Sequence, residues 1–175
     1  MMQTLLDGDD AMEFAIVPIV RGREVGGGEE RADVATKVRI VDARVHPDGR
    51  YDIVTVGLSR CRIRAWLPDN PHAWAEVDEV QDHGAAAVGP ERMADAIDMV
   101  RSILERCAAL GEPVPEIPDE LASDPGFAVF QLAALAPVGD HDRAAMLSID
   151  DVGERLDALV RALGDVDAVL KFRES

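Results

Sequence analysis

Residues 38–66, VRIVDARVHPDGRYDIVTVGLSRCRIRAW, decide the fold class. The stretch holds three runs rich in Val, Ile and Thr, and the first two meet at Asp48-Gly49, a dipeptide that tolerates positive φ and closes tight hairpins. The spacing predicts a three-stranded antiparallel meander. In the third run Cys61, Ile63 and Ala65 alternate with Arg60, Arg62 and Arg64, the pattern of a sheet with one buried and one wet face. In the first run Val38 and Ile40 share one face while Val41, Ala43 and Val45 take the other. That slip of phase near Ile40 predicts a bulge or strong coiling.

The flanks extend the sheet. Residues 14–20, FAIVPIV, are apolar on both faces and read as a strand covered on both sides, with Pro18 at an edge or bulge because it donates no ladder hydrogen bond. Residues 1–13 are mostly polar, with a loop at 7–10. Between 21 and 33, Gly22 and Gly27 have the spacing of a phosphate-binding loop, but Gly28-Glu29 stands where Lys and Ser or Thr belong and no helix pattern follows. This segment reads as a solvated hairpin loop. Residues 67–72 are dense in turn formers, and 73–80 return as a strand with Ala75 and Val77 inward and Glu76 and Asp78 outward. Those carboxylates can face Arg62 and Arg64 across a strand pair, worth about 0.2–1 kcal/mol each. The arginine row is therefore either a structural ladder or a binding face.

Beyond a small-residue linker at 81–89 the period changes from two to about 3.6. Pro90 suits the first turn of a helix whose stripe is Met93, Ile97, Val100, Leu104 and Cys107, stopped at Gly111. Pro113, Pro115 and Pro118 make 112–123 an extended connector. Asp124-Pro125 caps a helix, GFAVFQLAALA, apolar nearly all round and expected to be the central buried element. A short capped turn at 140–147 follows. Ser148-Ile149-Asp150-Asp151 resembles a capping box and opens a last helix with the stripe Val152, Leu156, Leu159, Leu163, Val166 and Leu170. The expected organisation is a β-rich part over 1–88 and a helical part over 89–175.

Composition narrows the function classes. The formal charge of -16, from 34 acidic against 18 basic residues, opposes nucleic-acid binding and an acidic membrane surface, since both rest on neutralising anionic groups. Both parts are acidic: 16 acids against 10 bases up to Val88, 18 against 8 beyond it. Cys61 and Cys107 form no paired-ligand spacing or disulfide framework, no run of about 20 apolar residues is present, and no leader is expected. A cytoplasmic protein is expected. His46, His72, His83 and His141 fall in loops or caps without metal-binding spacing, no serine sits in a nucleophile elbow, and no cofactor or metal is expected. Trp66 and Trp74 flank the proline-rich turn and share parity with the charged residues. Exposed aromatics beside arginines mark binding patches, but the reading favoured for them is that the helical part packs there.

The motifs Phe14-Ala-Ile-Val-Pro-Ile, Arg23-Glu-Val-Gly-Gly-Gly, Val34-Ala-Thr, Pro47-Asp-Gly-Arg-Tyr-Asp-Ile, Val56-Gly-Leu-Ser-Arg-Cys-Arg-Ile and Ala75-Glu-Val resemble, in this order, the N-terminal substrate-binding domain of Lon protease. Phe130-Gln-Leu-Ala-Ala-Leu-Ala-Pro-Val, Asp142-Arg143, Met146-Leu147 and Arg155-Leu156 continue the resemblance. It is nearest to free-standing bacterial proteins made of that domain alone. The resemblance implies an α+β fold, a PUA-like antiparallel β pseudo-barrel followed by a C-terminal helical bundle, without the ATPase and peptidase domains. Two departures stand out: Cys61 replaces the family's usual Phe and Ala35 its Gly, and the family's opening strand, of the type Pro-Leu-Phe-Pro-Leu, has no counterpart.

The expected function is a non-enzymatic module that binds polypeptide, either unfolded segments or a protease or chaperone partner. Its candidate binding residues are Phe14, Arg60, Arg62, Arg64, Trp66 and Trp74. The missing strand leaves a sheet edge through which a homo-oligomer could also form. The alternative from the enzyme class is a small-molecule hydrolase or transferase in the groove between the two parts. RNA binding, by analogy with other PUA-like folds, is opposed by the acidic balance.

Overall fold

The computed structural model describes residues 12–22, 28–68 and 72–174. Expectations for the loop at 7–10, for Gly26 and Gly27, for the Arg23 motif and for the centre of the proline-rich turn lie outside the described residues. The chain divides into two compact units, Met1–Gln81 and Asp82–Ser175. The first carries β1 (Glu13–Ile16), β2 (Ile19–Arg21), β3 (Glu30–Arg31), β4 (Val34–Val45), β5 (Tyr51–Leu67) and β6 (Trp74–Val80). The second carries a 3-10 turn (Ala85–Ala87) and helices α1 (Pro90–Ala109), α2 (Pro125–Leu135), α3 (Asp140–Leu147) and α4 (Val152–Arg173). The α+β reading, antiparallel strands first and helices after, holds.

In the β unit the strands form an antiparallel four-stranded sheet in the order β1-β4-β5-β6, beside a two-stranded ribbon of β2 and β3. The Asp48-Gly49 hairpin is present: Gly49 takes φ 85, its N–H donates to His46 O, and Asp48 Oδ1 accepts from the Arg50 N–H. The second and third β-like runs are one continuous strand of 17 residues, so the meander consists of β4, β5 and β6. Gly57 joins the two halves of β5, opposite Val38, where the register slips past Leu58. The phase slip at Ile40 is a bulge at Val41: Ile40 pairs with Thr55 and Asp42 with Val54.

Residues 14–20 do not form one covered strand. The ladder breaks at Val17-Pro18, β1 pairs with β4 while β2 pairs with β3, and Ile16, Ile19 and Val20 are exposed. Pro18 has no N–H to continue the ladder, and its carbonyl accepts instead from the Ala32 N–H at 2.9 Å. At the two ends of the segment read as a solvated hairpin loop, β2 and β3 pair as antiparallel strands, and residues 23–27 lie outside the described residues. On β4 the buried side chains Val34, Val38 and Ile40 share a face, and Arg60, opposite Thr36 on β5, lies on it at only 5% exposure. The expectation that Arg60 points outward is therefore corrected.

The helical unit has an apolar core centred on Val100, Val129, Leu132, Val152, Leu159 and Leu163. Pro90 opens α1, and Gly111, at φ 81, ends its last turn. The Asp124 carboxylate accepts from the Phe127 N–H at 2.8 Å and caps α2, whose Phe127 is nonetheless exposed, so its apolar circumference is not buried all round. The cap of α4 is Asp151, accepting from Glu154 N–H at 2.9 Å, while Ser148 ends α3. The N-cap is thus Asp151, three residues after the predicted Ser148. Residues 82–88, drawn with the β part from sequence, group with the helices. Asp82 binds Arg155 with both oxygens, and the His83 N–H and C=O bond to Asp150 and Val152.

Among the described residues, Arg155 is the one large polar side chain buried in this unit, with 0% exposure. Its guanidinium donates to Asp82 at 2.7 and 2.8 Å, to Ile149 O and to Gly126 O, and lies 4.0 Å from the Phe130 ring centroid. Full satisfaction of its donors is what makes burial of the charge tolerable.

Candidate functional site

The β unit carries an open cavity of about 610 Å³. Its apolar walls come from β1 (Phe14, Ile16), β5 (Cys61, Ile63, Trp66) and β6 (Trp74, Val77), and charged groups stand at its margin. Trp66 reaches this wall through a bulge. Ile63 pairs with Val77 and Ala65 with Glu76, so Arg64 is an extra residue and the alternation of β5 shifts by one after it. Trp66 consequently lies opposite Ala75 and joins the face of Cys61 and Ile63, while Ala65 takes the face of Glu76. Simple alternation gave both residues the opposite assignment. Trp66 and Trp74 are 44% and 50% exposed.

The charged margin is internally paired. Glu13 accepts from Arg39 Nε and Nη2 at 3.0 and 2.6 Å, and from Lys37 Nζ at 2.6 Å. Lys37 and then Arg39 hold its carboxyl below the usual range. Glu29 is held low by its own backbone N–H and by Arg31. Arg31 in turn lies over the Trp66 ring, 4.5 Å from its centroid, a cation–π contact worth about 0.5–1 kcal/mol at an exposed site. Opposite, His72 stacks on Trp74 with centroids 5.1 Å apart, and its buried Nδ1 has no hydrogen-bond partner among the described residues. Burial pushes the Cys61 thiol up, which disfavours the thiolate.

Of the residues singled out from sequence, Phe14, Trp66 and Trp74 line the cavity. Arg60 is buried on the other face. Arg62 and Arg64 are exposed, and Arg64 Nε lies 3.4 Å from Asp78 Oδ2, the geometry of the cross-strand ladder. Glu13, Glu29, Arg31, Lys37 and His72 were missed. Their part in the site depends on strand order, and a linear pattern carries no signal that Arg31 meets Trp66. Among the described residues no group of His, Cys, Asp and Glu could hold a metal ion, and no helix is long and apolar enough to cross a membrane.

Residues 1–165 match the model of the ATP-dependent protease La (LON) substrate-binding domain. Among solved structures, the N-terminal domain of Mycobacterium avium complex Lon protease superposes with a TM-score of 0.64 at 19% identity, covering 94% of this chain and 83% of that one. The Lon N-terminal domain protein from Xanthomonas campestris gives a TM-score of 0.54 at 21% identity, over 85% and 75% of the respective chains. At such identities the likeness speaks for the fold alone. Comparison with curated protein sequences yields no match.

Proposed function

Because the chain belongs to the Lon substrate-binding domain family, we propose that it binds polypeptide through the cavity of its β unit, taking up unfolded segments or a protease or chaperone partner, without cutting the bound chain. The observation that carries this reading is the cavity itself, open enough to leave two large aromatic side chains half exposed on its wall. Tryptophans in that state gain most from being covered, since a Trp buries 150–250 Å² when fully enclosed, by the usual range for aromatic residues. Binding is favoured over chemistry because the marginal carboxylates are already neutralised: Glu13 by Lys37 and Arg39, Glu29 by Arg31. The cavity thiol is held protonated by its burial.

The test is retention of an unfolded model protein such as casein on immobilised protein, compared with Trp66→Ala and Trp74→Ala. Saturable binding weakened at least tenfold by either change supports the reading. Absence of binding across a panel of unfolded chains overturns it. A second reading, self-association through the outer edge of β1, is favoured by β1 standing at the end of the sheet with Ile16 exposed. Sedimentation at increasing concentration distinguishes it, a constant monomer mass counting against it.

A further inference from the structure

The other end of the sheet is more informative. β6 is hydrogen-bonded to β5 on one side, and no described residue pairs with its outer edge. Such an edge is a template for an added strand. Its side chains state what that strand must carry. Glu76, Asp78 and Glu79 are all exposed, and neither Glu76 nor Glu79 has an ion-pair partner among the described residues. Between the acids lies Val77, 46% exposed on the cavity wall, with Trp74 at the strand's start.

The inner edge of β6 already shows which sequence pairs with it. Arg62 is registered with Asp78, Ile63 with Val77 and Cys61 with Glu79, and Arg64 reaches Asp78. On the face of Asp78 that partner is basic, at Arg62 and Arg64, and on the face of Val77 it is apolar, at Cys61 and Ile63, whereas Arg60 lies opposite Val80. The outer edge offers the same side chains to a strand approaching from the other direction.

Charge decides among the occupants. A second copy adding through β6 would bring Glu76, Asp78 and Glu79 against their own equivalents, an unfavourable cross-strand arrangement. Residues 1–11 of this chain contribute Asp7, Asp9 and Asp10 and no basic group. We propose that the outer edge of β6 takes up, as an added strand, an extended polypeptide segment in which basic and apolar residues alternate, the basic ones lying toward Glu76 and Asp78 on one face and the apolar ones toward Val77 on the other. The proposal rests on the polypeptide-binding reading and names the sequence class that is bound.

The experiment uses the full chain and a fluorescein-labelled decapeptide of alternating Arg and Val, followed by anisotropy. The expected result is saturable binding at least tenfold tighter than that of the matching Glu and Val peptide. Two further peptides carry N-methyl groups on every second residue, one in each parity. A strand added to an edge turns one parity of N–H groups toward that edge, so one methylated peptide is expected to lose binding at least tenfold and the other to keep it. The double variant Glu76→Lys/Asp78→Lys, which changes the acids of one face, is expected to reverse the preference between the Arg and Glu peptides. Equal binding of both methylated peptides, or no preference for the Arg peptide over the Glu peptide, overturns the proposal. If casein binding sensitive to Trp66→Ala persists alongside either of those outcomes, this inference alone falls. Loss of that casein binding overturns the reading beneath it.

Discussion

Asp82→Ala is predicted to be the most damaging single truncation of a polar side chain in the helical unit. Arg155 has no exposure, whereas the Asp82 side chain keeps 29% of its own. Removing the carboxylate deletes both charged contacts to Arg155, at 2.7 and 2.8 Å to Asp82, and leaves a guanidinium held only by the Ile149 and Gly126 carbonyls and the Phe130 ring. Breaking a buried pair by removing one partner costs about 3–5 kcal/mol, and the partial exposure of Asp82 argues for the lower end, about 3 kcal/mol. For a chain of this length that corresponds to a fall in Tm of about 6–12 °C. The assay is thermal and urea melting followed by far-ultraviolet circular dichroism, which reports the helices. Asp98→Ala, which deletes an exposed pair with Arg101, serves as the control, with an expected change below about 0.5 kcal/mol. The double variant Asp82→Ala/Arg155→Met should be less destabilised than the sum of its single changes, because no buried charge remains. An Asp82→Ala effect no larger than that of Asp98→Ala would refute the reasoning.

Gly84 sits at φ 72, and a Cβ there would overlap the Asp151 carboxylate, so Gly84→Ala should lower the melting temperature and weaken the cap of α4 as seen by amide exchange at Glu154. Near the end of α4, Arg106 binds Glu174 and Asp167, and both carboxyls are depressed, Glu174 by Arg106 and Asp167 by Lys171 and then Arg106. Depressed carboxyls contribute stability that is present above their ordinary values and is lost as pH falls through the lowered ones, so Arg106→Gln should move the acid melting of α4 to higher pH, within a window below about pH 4.5. An unchanged acid midpoint would count against this account. Cys61 and Cys107 are buried and their thiols pushed up by burial, so a thiol reagent at pH 8 should modify both far more slowly in the folded chain than in urea. Bound polypeptide should slow Cys61, on the cavity wall, and leave Cys107 unaffected.

The sequence carried most of the fold because its signals are local. Asp48-Gly49 closes a hairpin by its own dihedral preferences, Pro90 and Gly111 bound α1, and the stripe from Val152 to Leu170 marks the buried side of α4. Errors arose where one residue alters the phase. Alternation in β5 placed Trp66 beside the arginines, but the bulge at Arg64 turns it to the opposite face, and no property of Arg64 itself announces a bulge. Arg60 was assigned outward from its chemistry, yet it shares the face of Val34, Val38 and Ile40. Arg155 was overlooked as a core residue because helical periodicity counts apolar side chains, and its burial depends on Asp82, 73 positions away. The cavity's cations and carboxylates come from four separate strands and loops, so their convergence is a property of topology.

The chain has two tryptophans, and both line the cavity. Their intrinsic fluorescence therefore reports occupation of the site directly. Titration with an unfolded polypeptide that itself lacks tryptophan is predicted to shift the emission to shorter wavelength in a saturable manner, as the half-exposed Trp66 and Trp74 lose contact with water. Polypeptide binding that leaves the emission unchanged, or an emission that never responds to any unfolded chain, would contradict the assignment of polypeptide binding to this cavity.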